Sequence, residues 1–188
     1  MAQVNGATGG NVPIAAAGPP PPPPTADTGA RIRSLAACLA DRYTGLNPAL
    51  LCILSGSAIF AADLSRALPF EHTIHYARAS SYVGTASSGT ITLSGVDGAE
   101  LADRHVLVVE DIVDTGRTLA ALSPVLGGVG ATSVEVVTLL DKVEVAKVSG
   151  VPPVNYVAFA CPNAFVVGYG MDINGRLRHL PFVGVYKE

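Results

Sequence analysis

Three acidic residues, Glu110, Asp111 and Asp114, crowd one short segment, residues 106–119, VLVVEDIVDTGRTL. Carboxylates at that density suit the hydroxyls of a sugar and a hard cation such as magnesium. Thr115, Gly116, Arg117 and Thr118 follow at once. Small and hydroxyl-bearing residues at a turn that opens a helix can aim backbone N–H groups at a phosphate. Sugar, cation and phosphate chemistry thus converge on one stretch.

The elements that must hold these groups can be read around them. Val106 to Val109 is an apolar, β-branched run and predicts a buried strand. The acids would then lie in a polar loop, and Leu119 to Leu122 would start a helix. In an open parallel sheet the ligand site lies outside the carboxyl ends of the strands. Neither GxxxxGK[ST] nor a GxGxxG after a strand occurs, so the common nucleotide loops are excluded. A plainer alternative has the acids solvated and Asp114 serving as a helix N-cap.

A second strand–turn–helix precedes this one. Ala49 to Leu54 reads as a central strand, Ser55-Gly56-Ser57 as a tight turn, and Ala58 to Leu68 as a helix. Arg31 to Tyr43 has helical periodicity, with Ile32, Leu35, Ala36 and Leu39 on one face. Thr73 to Ala79 and Thr90 to Leu93 alternate as half-exposed strands should. Residues 80–89 between them are polar and glycine-rich, a composition suited to a lid. Val134 to Leu140 and Val154 to Ala160 read as further strands, with a glycine turn at 127–130 before them. The alternation of strands and helices predicts one α/β domain with a mostly parallel central sheet and a small hood.

Residues 1–29 differ from the rest. Pro19 to Pro24 form an unbroken run, and the segment holds no Lys or Arg. Such a run cannot pack into a helix or sheet, so a disordered Pro/Ala/Gly-rich tail is expected, followed by a domain over 30–188. The absence of basic residues argues against a signal or transit peptide. No apolar run is long enough to span a membrane. The formal net charge of −3 leaves no basic footprint for nucleic acid. Cys38, Cys52 and Cys161 are scattered among apolar neighbours, which suggests buried thiols in the reducing cytoplasm. The four histidines form no metal-ligand pattern.

The Glu-Asp pair followed by Asp-Thr-Gly resembles the phosphoribosyl-pyrophosphate signature of the type I phosphoribosyltransferases, in their hypoxanthine-guanine branch. The resemblance runs over residues 31–188 in five segments. It implies transfer of the 5-phosphoribosyl group from phosphoribosyl pyrophosphate to a 6-oxopurine base, with magnesium as cofactor. Asp114 would be the catalytic proton acceptor. Glu110, Asp111, Asp114, Thr115, Gly116, Arg117 and Thr118 would bind phosphoribosyl pyrophosphate, together with Ser55, Gly56 and Arg178. The family's pyrophosphate loop, often with a non-proline cis peptide, would place that bond at Leu54–Ser55; Ser55 stands where a basic residue is usual. Ser81 and Tyr82 match a Ser-Tyr pair on a closing loop. Lys142, in Leu-Leu-Asp-Lys, would donate to the exocyclic oxygen of the base. Phe165 would stack on the base, with Val166 meeting its edge through the backbone. Asp172, with Glu110 and Asp111, would hold the metal. A homo-oligomer, dimer or tetramer, is implied. Two other readings remain: a xanthine-preferring enzyme, and a nucleic-acid-binding regulator on the same fold.

Overall fold

A computed structural model describes residues 28–81 and 91–187. The tail up to residue 27, Tyr82 and the rest of the expected lid lie outside the described residues. The elements, in chain order, are α1 (Thr28–Tyr43), β1 (Ala49–Leu54), α2 (Ala58–Ala67), β2 (Thr73–Ser81), β3 (Ile91–Ser94), α3 (Gly98–Leu101), β4 (His105–Val113), α4 (Arg117–Gly128), β5 (Ser133–Asp141), β6 (Tyr156–Ala160), β7 (Val166–Val167) and β8 (Gly184–Val185).

The main sheet has the order β3-β2-β1-β4-β5-β6. Only the β2–β3 pair at one edge is antiparallel; the other pairs are parallel. Strand residues alternate between the two faces, as period two demands. Leu50, Cys52, Leu107 and Val109 pack with Leu35 and Leu39 of α1 and Phe60 and Leu64 of α2. Leu51, Ile53, Val106 and Val108 face the other way, onto Leu101 of α3 and Leu119, Leu122 and Leu126 of α4. Helices cover both faces, which is why β1 and β4 read as unbroken apolar runs. β7 and β8 form a separate antiparallel pair that serves as the hood.

The main difference from expectation lies in β4. It does not stop at Val109 but continues through the acids to Val113. Glu110 pairs with Thr138, Ile112 with Leu140 and Val113 with Asp141 of β5. Ile112 and Val113 are β-branched, and Val113 is buried against the α4 side, so the ladder continues past the two acids. Glu110 and Asp111 are therefore strand residues. The strand ends just before Asp114, and α4 begins at Arg117. That helix also runs through Gly127 and Gly128 with Pro124 inside it; the chain reverses only at Gly130, φ +73°. At the other strand β2, Ser80 and Ser81 extend the ladder rather than joining the loop, Ser81 pairing with Ile91.

Candidate active site

The site forms where β1, β4 and β5 end. β1 and β4 are neighbours and both run toward it, so their following turns lie side by side. Glu110 is buried, and its Oε2 has no hydrogen-bond partner. Burial pushes its carboxyl well above the usual range, with the adjacent Asp111 charge adding to the shift. Asp111 is pushed up to about 6, chiefly by burial; its own N–H and that of Ile112 pull the other way, as does Arg178, while Asp172 raises it. These carboxylates lack a countercharge sufficient to offset their desolvation.

Asp114 does not cap α4. The N-cap is Gly116, in the left-handed region at φ +76°, with no side-chain cap. The Asp114 carboxylate instead accepts from Lys142 Nζ at 2.8 Å. Lys142 is the first residue beyond β5, and its N–H donates to Val113 O at 3.0 Å. The β4–β5 ladder thus delivers the two charged side chains to each other. Glu110, Asp114, Thr115, Gly116, Arg117 and Thr118 line a cavity of about 90 Å³ at the head of α4. The first N–H groups of that helix have no intrahelical acceptor, so the cavity is suited to an anion. Gly116 is required twice over: by its φ, and because a Cβ there would run into Val151.

The turn after β1 is held from both sides. The Leu54–Ser55 peptide is cis, as the resemblance implied. Ser55 is exposed. A Cβ on Gly56 would overlap the Asp111 carboxylate, and a Cβ on Gly170 would overlap Gly56 O. The turn is wedged between β4 and the C-terminal segment. Ser57 Oγ is buried and donates to Ile53 O at 2.6 Å, so it leaves the start of α2 uncapped.

The C-terminal segment brings the remaining candidates. Arg178 pairs with Asp172 at 2.6 Å and donates to Gly170 O at 2.5 Å. Asp172 also accepts the Gly175 N–H at 2.7 Å. The Tyr169 hydroxyl donates to Asp63 of α2 and ties this segment to the main body. Phe165 is 54% exposed, its ring edge-on to Tyr186 at 6.1 Å, and Val166 is buried beside it in the hood. An aromatic face so open is available to a flat ligand.

Two candidate sets are brought together: Asp114 with Lys142, and Asp111 with Gly56, Asp172 and Arg178. Glu110, Asp111 and Asp172 do not make one metal cage; among the described residues no three or more such side chains cluster that way. Ser81 stands at the end of β2, and Tyr82 lies outside the described residues. Sequence reasoning missed Gly170 as a packing surface and the connection after β5 as a brace. Val148 N–H donates to Thr115 O at 2.9 Å, and Val151 covers Gly116. The Gly168-Tyr169-Gly170 alternation was a readable signal for the first; the second had none.

The phosphoribosyl transferase domain family matches residues 26–174. A hypoxanthine-guanine-xanthine phosphoribosyltransferase of Tritrichomonas foetus is 40% identical over 158 residues, 84% of this chain and 86% of that protein. A hypoxanthine-guanine phosphoribosyltransferase of Streptococcus pneumoniae is 43% identical over 159 residues, 83% of this chain and 86% of that protein. The crystal structure of a hypoxanthine phosphoribosyltransferase from Staphylococcus aureus superposes with a TM-score of 0.78 at 35% identity, covering 86% of this chain and 87% of that one.

Proposed function

The chain belongs to the phosphoribosyl transferase domain family, and on that premise we propose that it transfers the 5-phosphoribosyl group of phosphoribosyl pyrophosphate to N9 of hypoxanthine or guanine, releasing pyrophosphate. The observation that carries the base assignment is the Asp114–Lys142 pair, 2.8 Å apart at the mouth of the anion cavity. An ammonium donates and cannot accept. Lys142 can therefore serve the O6 of a 6-oxopurine, whereas the amino group of adenine offers it no acceptor. Asp114 takes or holds the proton at N7 while N9 attacks the sugar carbon. Phe165 offers its open face to the base and Val166 its backbone.

The turn from Asp114 to Thr118 receives the 5-phosphate on its N–H groups and hydroxyls, with Arg117 adding charge. Glu110 and Asp111 supply acceptors for the ribose hydroxyls; the unpartnered Oε2 of Glu110 fits that role. Ser55 and Gly56 offer backbone N–H groups to the pyrophosphate. Arg178, paired with Asp172, would turn to the departing pyrophosphate. Ser81 and Tyr82 would close over the site.

Asp111 and Asp172 lie within each other's field without a third carboxylate completing a cage. That donor set fits a magnesium ion that keeps water and takes further oxygens from its substrate. Bound there, the ion would offset charge on the leaving pyrophosphate. The expected boundary at residue 30 moves to Thr28, where α1 begins, and the catalytic unit is assigned from there on, with the residues before it a dispensable tail. No helix among the described residues is long and apolar enough to cross a membrane. The three free cysteines support a reducing cytoplasm as its compartment.

The test is incubation of the protein with phosphoribosyl pyrophosphate, magnesium and each of hypoxanthine, guanine, xanthine and adenine, following nucleotide formation. Turnover of hypoxanthine and guanine with adenine at background is expected. Xanthine belongs in the panel because the T. foetus relative is named for all three bases. Equal turnover of adenine would remove Lys142 as the selector.

A further inference from the structure

Resting on the reaction proposed above, we infer that Lys147 is a positioning residue that locks the phosphate loop after β4 to the base-selecting lysine after β5. No motif marks this lysine. It lies in the connection between β5 and β6. Its Nζ donates to Val113 O at 3.0 Å, Asp114 O at 2.6 Å and Lys142 O at 2.9 Å. Asp141 Oδ1, on the last residue of β5, lies 2.8 Å from the same nitrogen. An ammonium carries three protons. The three carbonyls engage them, and the Asp141 carboxylate balances the charge.

The β4–β5 ladder ends at the Val113–Asp141 pair. Beyond it both strands turn out of the sheet. Val113 O also accepts the Lys142 N–H and Lys142 O the Val145 N–H, each at 3.0 Å, so for these two carbonyls Lys147 is a second donor. Lys147 stands in for the ladder and ties the two exits at the level of the Asp114–Lys142 side-chain pair. A planar peptide directs its N–H opposite to its C=O. Holding Val113 O and Asp114 O therefore turns the N–H groups of Asp114 and Thr115 away from Lys147. Val148 N–H takes Thr115 O at 2.9 Å, so three consecutive carbonyls face this one connection. Val151 then covers Gly116. The loop's shape is imposed from outside by residues 147–151.

An ion pair with Asp141 alone would hold only the end of β5. The three backbone bonds set Lys147 apart from that case. They also predict how its loss divides. Val148 and Val151 continue to brace Thr115 and Gly116 when Lys147 is replaced, whereas Asp114 and Lys142 lose their common anchor. The base side of the reaction should suffer more than the phosphate side.

The experiment compares the parent with Lys147→Met and Lys147→Ala in steady-state transfer to hypoxanthine, and in amide hydrogen exchange without substrate. Lys147→Met keeps the stem and removes the donors. Its kcat should fall by roughly 10–100-fold, the scale of a small misplacement of a reacting group. KM for hypoxanthine should rise more than KM for phosphoribosyl pyrophosphate. Amides 114–118 should exchange faster in both variants. Added ethylamine or propylamine should restore part of the lost rate in Lys147→Ala and none in Lys147→Met, whose stem fills the space. Unchanged exchange at 114–118 would overturn the inference. So would a rate loss that moves all constants equally, tracks melting temperature and yields to no amine. If the parent itself transfers nothing, the reaction assignment fails, and the exchange measurement still decides whether Lys147 sets the loop.

Discussion

The helices α2, α3 and α4 begin in two different ways. At α3, Asp97 occupies the N-cap and accepts the Ala99 N–H at 2.9 Å. At α2 and α4 the N-caps are Ser57 and Gly116, and neither provides a side-chain cap. Ser57 turns its hydroxyl back to Ile53 O, and Gly116 has none to offer. Both open starts lie at the carboxyl ends of adjacent parallel strands, and the capped start does not. A helix left uncapped at a ligand edge has its N–H groups free for a substrate anion. The same contrast separates the two ends of the sheet. At the amino end Glu135 collects Arg42 at 3.2 Å and the Tyr156 hydroxyl at 2.7 Å, and His105 meets Ser133 at 2.7 Å. There the buried Tyr43 hydroxyl lies beside Glu135 as well. At the carboxyl end, the buried Glu110 and the half-buried Asp111 have carboxyl groups pushed above the usual carboxylate range by desolvation. At one end the polar groups pair within the chain; at the other, desolvated acids and two helix starts without side-chain caps lie together.

The contrast can be broken most sharply at Asp114. Asp114→Asn keeps the side chain's size but removes the proton acceptor, and Gly116 rather than Asp114 caps α4, so the fold should stand. Its kcat should fall by roughly 10²–10⁴-fold with smaller changes in substrate constants. A folded variant with at least half the parent rate, once chemistry is shown to limit turnover, would take Asp114 out of catalysis. Lys142→Met comes next. Loss of the donor to O6 should weaken the base by about 1–3 kcal/mol, read as a rise in KM for hypoxanthine larger than that for phosphoribosyl pyrophosphate. A change confined to phosphoribosyl pyrophosphate would make Lys142 a phosphate ligand.

Stability offers the opposite sign. The carboxyl of Asp111 moves from 3.8 to about 6 on folding, so it is protonated more readily in the fold than in the unfolded chain. Its contribution is present below about pH 4 and is lost as pH rises through about 6. Asp111→Asn should therefore stabilise the protein at pH 7.5 by on the order of 1–3 kcal/mol, read as a higher melting temperature, and have little effect near pH 4. Transfer should be lost in the same variant. A lower melting temperature at pH 7.5 would show that the carboxylate is already compensated. The smallest effect belongs to the capped helix. Asp97→Ala should cost about 1 kcal/mol of stability and leave kcat and KM where they were. A kinetic change there would erase the distinction between the two kinds of helix start.

Much of this arrangement is legible in the residues. β1 and β4 announce themselves because burial on both faces removes polar interruptions. The Glu110-to-Thr118 stretch carries its chemistry in consecutive residues, so its place at a strand end could be inferred. What could not be read depends on partners distant in the chain. Glu110 and Asp111 read as loop residues because a strand rarely carries two adjacent acids; the pairing of Glu110 with Thr138 and Ile112 with Leu140 of β5 takes the ladder past them. Gly56 is constrained by the Asp111 carboxylate and Gly170 by Gly56 O; the Gly168-Tyr169-Gly170 alternation marks a tight segment but not the distant partner it approaches. The Arg178–Asp172 pair satisfies two candidate ligands internally in the ligand-free chain, which a motif match does not convey. Lys147 has ordinary neighbours in sequence, and its three carbonyl partners appear only once two strand ends are side by side.

The most direct measurement is a residue-resolved titration of the protein's backbone amides with magnesium and phosphoribosyl pyrophosphate, followed by 15N chemical shifts. Completion of the open helix starts by the substrate should move the amides of 115–119 and 56–59 together and leave 98–101 of α3 unchanged. Saturable shifts at both open starts with a silent α3 are the expected result. Amides at 115–119 that stay fixed at saturating phosphoribosyl pyrophosphate would contradict the assignment of the carboxyl edge as its binding site.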